Sequence, residues 1–309
     1  MSDVVISEFM DQSAVDDLAG QFDVLYDPNL VDRVDDLAAA VVDARALIVR
    51  NRTQVRGALL EAAGALQVVG RLGVGLDNID LEACKQRAVA VCPATGANDA
   101  AVAEYVIATA MILLRDAYAA SIEVIGGAWP RQRCMGREIG GKVLGLVGFG
   151  GIARETAQRA RALGVHVMAH DPFVAETDHA WNGVERSELH NLVTNADVVS
   201  LHLPLTDDTR GLLDARMIAG MKKGAVLVNT SRGGIVDEDA VVEALRAGHL
   251  AGAAFDVFET EPVTAAAGAR FADIVNLVLT PHIAGVTQES NVRVSAVTAD
   301  NVRKVLSKQ

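Results

Sequence analysis

Three ionisable residues lie late in the chain, each at the end of a β-branched or apolar run. They are Arg232 in Asn229-Thr230-Ser231-Arg232-Gly233-Gly234, Glu261 in Asp256-Val257-Phe258-Glu259-Thr260-Glu261-Pro262, and His282 in Thr280-Pro281-His282-Ile283-Ala284-Gly285. Oxidising a secondary alcohol calls for this set of groups. A base must take the hydroxyl proton while hydride leaves, and histidine titrates near neutrality. A paired carboxylate orients that imidazole and stabilises its protonated form. A guanidinium offers a forked, permanently charged grip on a carboxylate. Taken singly, each has a plain structural reading: a surface arginine at a helix start, a solvated glutamate before proline, a histidine satisfied by backbone.

A hydride needs an acceptor, and a site for one stands upstream. Lys142-Val143-Leu144-Gly145-Leu146-Val147-Gly148-Phe149-Gly150-Gly151-Ile152-Ala153 reads as a buried strand, a glycine-rich turn and a helix start. Gly148 allows the tight turn, Gly150 lets backbone approach a pyrophosphate, and Gly151-Ile152 open a helix whose N–H groups face an anion. Ala153 stands at the third glycine position and is small enough for close packing. A second strand ends in Asp171, 23 residues past Gly148, where an acid can bond the adenosine ribose hydroxyls. Its charge opposes a 2′-phosphate, so NAD is favoured over NADP. The alternative is that Asp171 only shapes the turn before Pro172.

A further basic cluster lies near the N-terminus: Arg50-Asn51-Arg52-Thr53 follows the apolar run 46–49, and Arg71 precedes Gly73. In a chain of net charge −12, these arginines are a candidate second anion pocket. Arginines at strand ends also simply reach solvent, which is the competing reading.

The elements that must hold these residues alternate in a strand–helix rhythm. Strands are expected at 4–6, 24–26, 46–49, 68–70 and 89–91, then again at 143–147, 166–169, 198–202, 225–229 and 251–256. Two such series predict two parallel α/β units, each a doubly wound sheet. A long helix is expected over 99–125 and a last one over 287–307, which would return to the first unit and make it discontinuous. The expected domains are 1–93 with 284–309, and 94–283. A length of 309 residues suits two domains. Aromatics at 4% leave Ala, Val, Leu and Ile to build the cores. The net negative charge argues against nucleic-acid and anionic-membrane partners. Cys84, Cys92 and Cys134 form no CxxC pair, the N-terminus meets acid too early for a signal peptide, and no apolar run is long enough for a span. A cytoplasmic protein is expected.

The same segments carry a resemblance. Gly73-Val74-Gly75-Leu76-Asp77-Asn78-Ile79-Asp80, the Gly148 loop, Val199-Ser200-Leu201-His202-Leu203-Pro204, residues 229–237, residues 252–262 and Thr280-Pro281-His282 occur in this order. The chain resembles the D-isomer-specific 2-hydroxyacid dehydrogenases over nearly its full length. The resemblance implies a Rossmann NAD-binding domain and a flavodoxin-like, discontinuous substrate-binding domain. It implies that Arg232 binds the substrate carboxylate and carbonyl, His282 is the acid–base, and Glu261 is its partner. Backbone at Val74-Gly75, with Asn98, would help hold substrate. Asp256 would face the nicotinamide carboxamide, and Gly151, Ile152, His202, Leu203, Pro204, Thr209, Thr230, Ser231 and Gly285 would join the cofactor contacts. Formate-oxidising relatives carry Gln where Glu261 stands, so formate is disfavoured. The resemblance also suggests a homodimer, or a dimer of dimers, built through the segment after Asp99.

The region of residues 46–53 and Arg71 resembles the phosphoglycerate dehydrogenase branch of this family, in which arginines here would grip the distal phosphate, and residues 5–11 with 50–53 also resemble its sulfolactate dehydrogenases. The expected substrate is therefore a small anionic 2-hydroxy acid carrying a 3-sulfo or 3-phospho group. The alternatives are a glyoxylate or hydroxypyruvate reductase, separable by cofactor titration, and a non-enzymatic NAD(H)-sensing corepressor-like protein, which would bind NADH without turnover.

Overall fold

In the computed structural model, which describes residues 2–307, five short apolar runs pair into one parallel sheet. They are β1 (Val4–Ile6), β2 (Val24–Tyr26), β3 (Ala46–Val49), β4 (Val68–Arg71) and β5 (Ala90–Pro93), in the order β2-β1-β3-β4-β5. This is the flavodoxin-like order. Successive side chains of a strand point to opposite faces. Ile6, Ile48 and Val68 therefore enter one core, while Val5, Leu47, Val49 and Val69 enter the other. Both faces are buried, which is why these strands read as continuous apolar runs rather than alternating ones.

The helix Gln288–Leu306 packs on the first of these cores through Val294, Ala299 and Val302. Thr287 and Ser290 cap its start reciprocally, and Asn301 Nδ2 donates to the Pro93 carbonyl at 3.2 Å.

The second sheet runs β6 (Val143–Val147), β7 (His166–His170), β8 (Glu185–Arg186), β9 (Val198–Leu201), β10 (Val226–Asn229), β11 (Gly252–Phe255) and β12 (Leu277–Leu279). Its spatial order is β12-β11-β10-β9-β6-β7-β8, and every pairing is parallel. This is the Rossmann order with a seventh strand added. The winding direction switches between β6 and β9, and ligands of such sheets bind outside the strand C-termini at that point. The Gly148 turn and the 202–209 loop leave the sheet there.

Backbone contacts divide the chain into Met1–Asn98 with Val286–Gln309, and Asp99–Gly285. These divisions fall five and two residues from the expected 93/94 and 283/284. Residues 1, 308 and 309 of the expected domain lie outside the described residues.

Two elements depart from expectation. The helix that opens at Asp99 stops at Arg115 and a separate short helix covers Ser121–Ile125. Asp116 turns left-handed (φ 45°), and the Arg137 N–H takes the Leu114 carbonyl at 2.8 Å, so the helix cannot continue. The exposed two-residue strand Glu185–Arg186 has no β-branched residue to announce it.

Candidate active site

His282 Nδ1 lies 2.8 Å from Glu261 Oε2. An ionised carboxylate can only accept, so Nδ1 carries the proton of this bond and Nε2 is the nitrogen left for proton exchange. Burial raises the Glu261 carboxyl. The hydrogen bond from His282, the Phe258 N–H at 3.0 Å, and the charges of His282 and Arg232 together outweigh it, holding the group below the usual carboxylate range.

The loop that carries His282 is wrapped around Asp256, which is 1% exposed. The Asp256 carbonyl accepts the His282 N–H at 2.8 Å. Its carboxylate accepts Thr280 Oγ1 at 2.6 Å and the N–H groups of Ile283 and Ala284 at 2.8 Å each. Tyr105 supports Thr280 from below, oxygen to oxygen at 2.6 Å. His282 itself is left-handed (φ 57°). A non-glycine residue in that region costs free energy unless its surroundings enforce it, and such residues cluster at functional sites. Gly285 ends the loop and the second unit.

Arg232 is set by an Asx-type turn at the end of β10. Asn229 Oδ1 accepts the Ser231 N–H at 3.1 Å and the Ser231 hydroxyl at 2.9 Å, while its amide donates to the Arg232 carbonyl at 3.0 Å. Ser231 is thus part of the turn's framework. Gly233 lies against the Phe258 carbonyl so closely that a β-carbon would overlap it. This contact draws the arginine loop onto the glutamate loop, and Arg232, Glu261 and His282 come together within the second unit. Glu238, 2% exposed, fixes the same loop by accepting the Glu259 N–H at 2.8 Å.

At the nucleotide end, Gly148 has φ 89°, and a β-carbon there would strike the His202 carbonyl and Leu203. Glycine is required on both counts. Gly150 leaves nothing within 4 Å of where a β-carbon would stand, and Gly151 and Ile152 open the helix Gly151–Ala162. The Asp99 carboxylate occupies the place a Gly151 side chain would take. Ala153 is fully buried, as the packing role of the third position demands. Asp171 accepts the Phe149 N–H at 2.8 Å and the Phe173 N–H at 2.9 Å. The turn-shaping bond is therefore present, but a carboxylate offers about four acceptor sites and so retains capacity for ribose hydroxyls. Burial holds the His202 imidazole, which meets Ser200 Oγ at 3.0 Å, down at about 3, so it stays neutral. Thr209 Oγ1 closes the next turn on the Pro204 carbonyl at 2.7 Å. Thr230 Oγ1 is buried without a hydrogen-bond partner among the described residues. The open space at Gly150 and this unpartnered hydroxyl fit a dinucleotide.

The remaining residues belong to the first unit. Glu8, 3% exposed, accepts the N–H groups of Arg50 at 2.9 Å, Arg52 at 3.2 Å and Thr53 at 3.0 Å. Asn78, also buried, donates to the Arg50 carbonyl at 3.0 Å and the Thr53 carbonyl at 2.7 Å. The 50–53 loop is thereby fastened to the 73–80 loop that carries Val74 and Gly75. Arg50 reaches Asn291 Oδ1 at 2.9 Å and lies over the Phe9 ring. Arg52 pairs with both oxygens of Asp32. Asn51 and Val74 are exposed, Arg71 donates to the Leu72 carbonyl at 2.8 Å, and Asn98 Oδ1 is buried without a partner among the described residues.

Glu8, Asn78, Tyr105, Asn229, Glu238 and Thr280 escaped the sequence reading as site-builders. Only Asn229 gave a local signal, an Asx residue at a strand end three positions before the arginine; the others act across long sequence separations.

The profile described as D-isomer specific 2-hydroxyacid dehydrogenase, NAD binding domain, matches residues 107–284. The chain belongs to the D-isomer-specific 2-hydroxyacid dehydrogenase family. This dehydrogenase is 54% identical over 307 residues to the (S)-sulfolactate dehydrogenase of Chromohalobacter salexigens, covering 99% of each chain. It is 39% identical over 306 residues to the D-3-phosphoglycerate dehydrogenase of Mycobacterium leprae, spanning 98% of this chain but 57% of that one. Among solved structures it superposes on the TT0316 protein of Thermus thermophilus with a TM-score of 0.87 at 32% identity, covering 99% and 97% of the two chains. It is an NAD-dependent oxidoreductase of 2-hydroxy acids.

Proposed function

We propose that this dehydrogenase interconverts (S)-sulfolactate and 3-sulfopyruvate. The reading is carried by the 54% identity to an (S)-sulfolactate dehydrogenase across 99% of both chains. The stereochemical descriptor agrees with a D-specific family. Sulfur gives the sulfomethyl group priority over the carboxylate, so the D arrangement, R in lactate, is named S in sulfolactate.

When bound, NAD supplies the acceptor for the hydride from C2. Arg232 holds the substrate carboxylate and draws on the C2 oxygen. His282 Nε2 takes the hydroxyl proton as that oxygen becomes a carbonyl. The resulting imidazolium is stabilised through Nδ1 by Glu261, which stays ionised because its carboxyl is held low. In the reverse direction, His282 returns the proton.

The distal sulfonate is assigned to the 50–53 loop. Among the described residues Arg50 makes no ion pair, whereas Arg52 is engaged by Asp32. Arg50 is therefore the leading contact. NADH formation from a panel of D-2-hydroxy acids differing only at C3 tests this. The sulfo compound should give the highest kcat/KM, and a higher value for lactate or 3-phosphoglycerate overturns the assignment.

We further infer a homodimer built through the segment after Asp99. Ile122 is 82% exposed, Ile125 86%, Trp129 75% and Met135 76%, large apolar side chains along this segment that a partner subunit would cover. The cytoplasm is the proposed location. It accords with three unpaired cysteines and with the lack of any helix, among the described residues, long and apolar enough to cross a membrane.

A further inference from the structure

The 50–53 loop is occupied from beneath by an internal anion. Glu8 is nearly fully buried and takes three backbone N–H groups of the loop, those of Arg50, Arg52 and Thr53. Left open, successive N–H groups of this kind form a concavity that binds phosphate. Here those of Arg50, Arg52 and Thr53 are already satisfied, which leaves a substrate's distal group chiefly the side-chain donors of the loop.

The charges point the same way. Two guanidinium groups, Arg50 and Arg52, face two carboxylates, Glu8 and Asp32, so the loop is neutral before substrate arrives. The Glu8 charge acts on both arginines, and the Asp32 charge on Arg52. Arg50 is itself largely withdrawn from water, between Asn291 and the Phe9 ring, where charges are screened weakly.

We infer that Glu8, assisted by Asp32, tunes this loop to a singly charged distal group and against a doubly charged one. A sulfonate carries one negative charge near pH 7, whereas a phosphate monoester carries about 1.5 to 2. Each guanidinium attracts the second charge, but each carboxylate repels it, and the blocked N–H groups give it no compensating bonds. Glu8 is thus a specificity-determining residue that acts through the loop and its field rather than by touching substrate. This rests on the distal-anion reading above.

The test is Glu8→Gln, with kcat/KM measured for 3-sulfolactate, 3-phosphoglycerate and D-lactate, and the melting temperature recorded. The glutamine oxygen can keep the two shorter bonds, to Arg50 and Thr53, and gives up the longest, to Arg52. Removing one nearby negative charge, at an effective dielectric of about 20, should raise the phospho-to-sulfo ratio of kcat/KM by roughly tenfold or more. An unchanged ratio in a folded variant overturns the inference. Should Glu8→Gln fail to fold, Asp32→Asn, on the exposed side of the pair, decides it by the same ratio. Arg50→Ala separates this from the reading beneath it. If that variant loses activity on D-lactate as severely as on 3-sulfolactate, the distal-anion assignment itself falls, whatever Glu8→Gln does.

Discussion

The 2.8 Å bond between His282 and Glu261 fixes which imidazole nitrogen meets the substrate. Glu261→Gln removes the charge that favours the protonated imidazole. Keto-acid reduction needs that form and alcohol oxidation needs the neutral one. The upper limb of the reductive pH profile should therefore move to lower pH, and the lower limb of the oxidative profile should move the same way. Profiles that superpose on wild type in both directions would contradict the pairing. At the nucleotide end, Asp171→Asn keeps one of the two oxygens that accept the Phe149 and Phe173 N–H groups and removes the charge. Weakening of NAD by about 1.5–3 kcal/mol, the worth of hydrogen bonds to a charged group, is expected, with a smaller loss for NADP. Titration of both cofactors by fluorescence checks this; an unchanged NAD:NADP preference would reduce Asp171 to a turn former.

The loops that hold these residues are only as firm as the strands beneath them. Asp197, 8% exposed, joins two strands of the second sheet by accepting the Val143 N–H at 2.9 Å and Lys222 Nζ at 2.8 Å. Burial raises its carboxyl, but the bonds from Lys222 and Val143 and the charges of Lys222 and Lys142 lower it further, to a net depression. A depressed carboxylate contributes stability that is present above its unfolded value, about 3.9, and is lost as pH falls through the lower folded one. Asp197→Ala should thus cost about 1.5–3 kcal/mol at neutral pH, and the gap in melting temperature should narrow below about pH 4. A gap independent of pH would show that packing, not the charge, is at stake. The strands were legible in the sequence because burial on both faces demands uninterrupted apolar runs, as in Ala46-Leu47-Ile48-Val49 and Val226-Leu227-Val228. The glycine turn and the Arg232, Glu261 and His282 positions were legible because their chemistry narrows the residue types. Illegible were the supports, such as Asp256 beneath His282 and Glu8 beneath Arg50, since a buried acid looks like any other acid until the backbone folds over it. The stop at Arg115 was equally hidden, because the apolar pattern runs on to Ile125 while the capping N–H comes from Arg137.

For the molecule as a whole, the exposed apolar side chains after Asp99 and the reaction itself are both open to solution experiments. Ile125→Glu, at an 86% exposed position, should convert a dimer to a monomer in light scattering without lowering the melting temperature of the second unit. A wild-type protein that is monomeric at every concentration would remove the dimer proposal. This family member is proposed to move hydride between NAD and a sulfonated 2-hydroxy acid by way of His282. The most direct test follows NADH absorbance with (S)-sulfolactate and NAD, for wild type and His282→Ala side by side, with NADH binding measured for both. Turnover is expected in wild type, with a loss of roughly 10²–10⁴ in kcat in the variant, the usual worth of a positioned acid–base, and retained NADH binding. Wild-type turnover by His282→Ala would contradict the proposal.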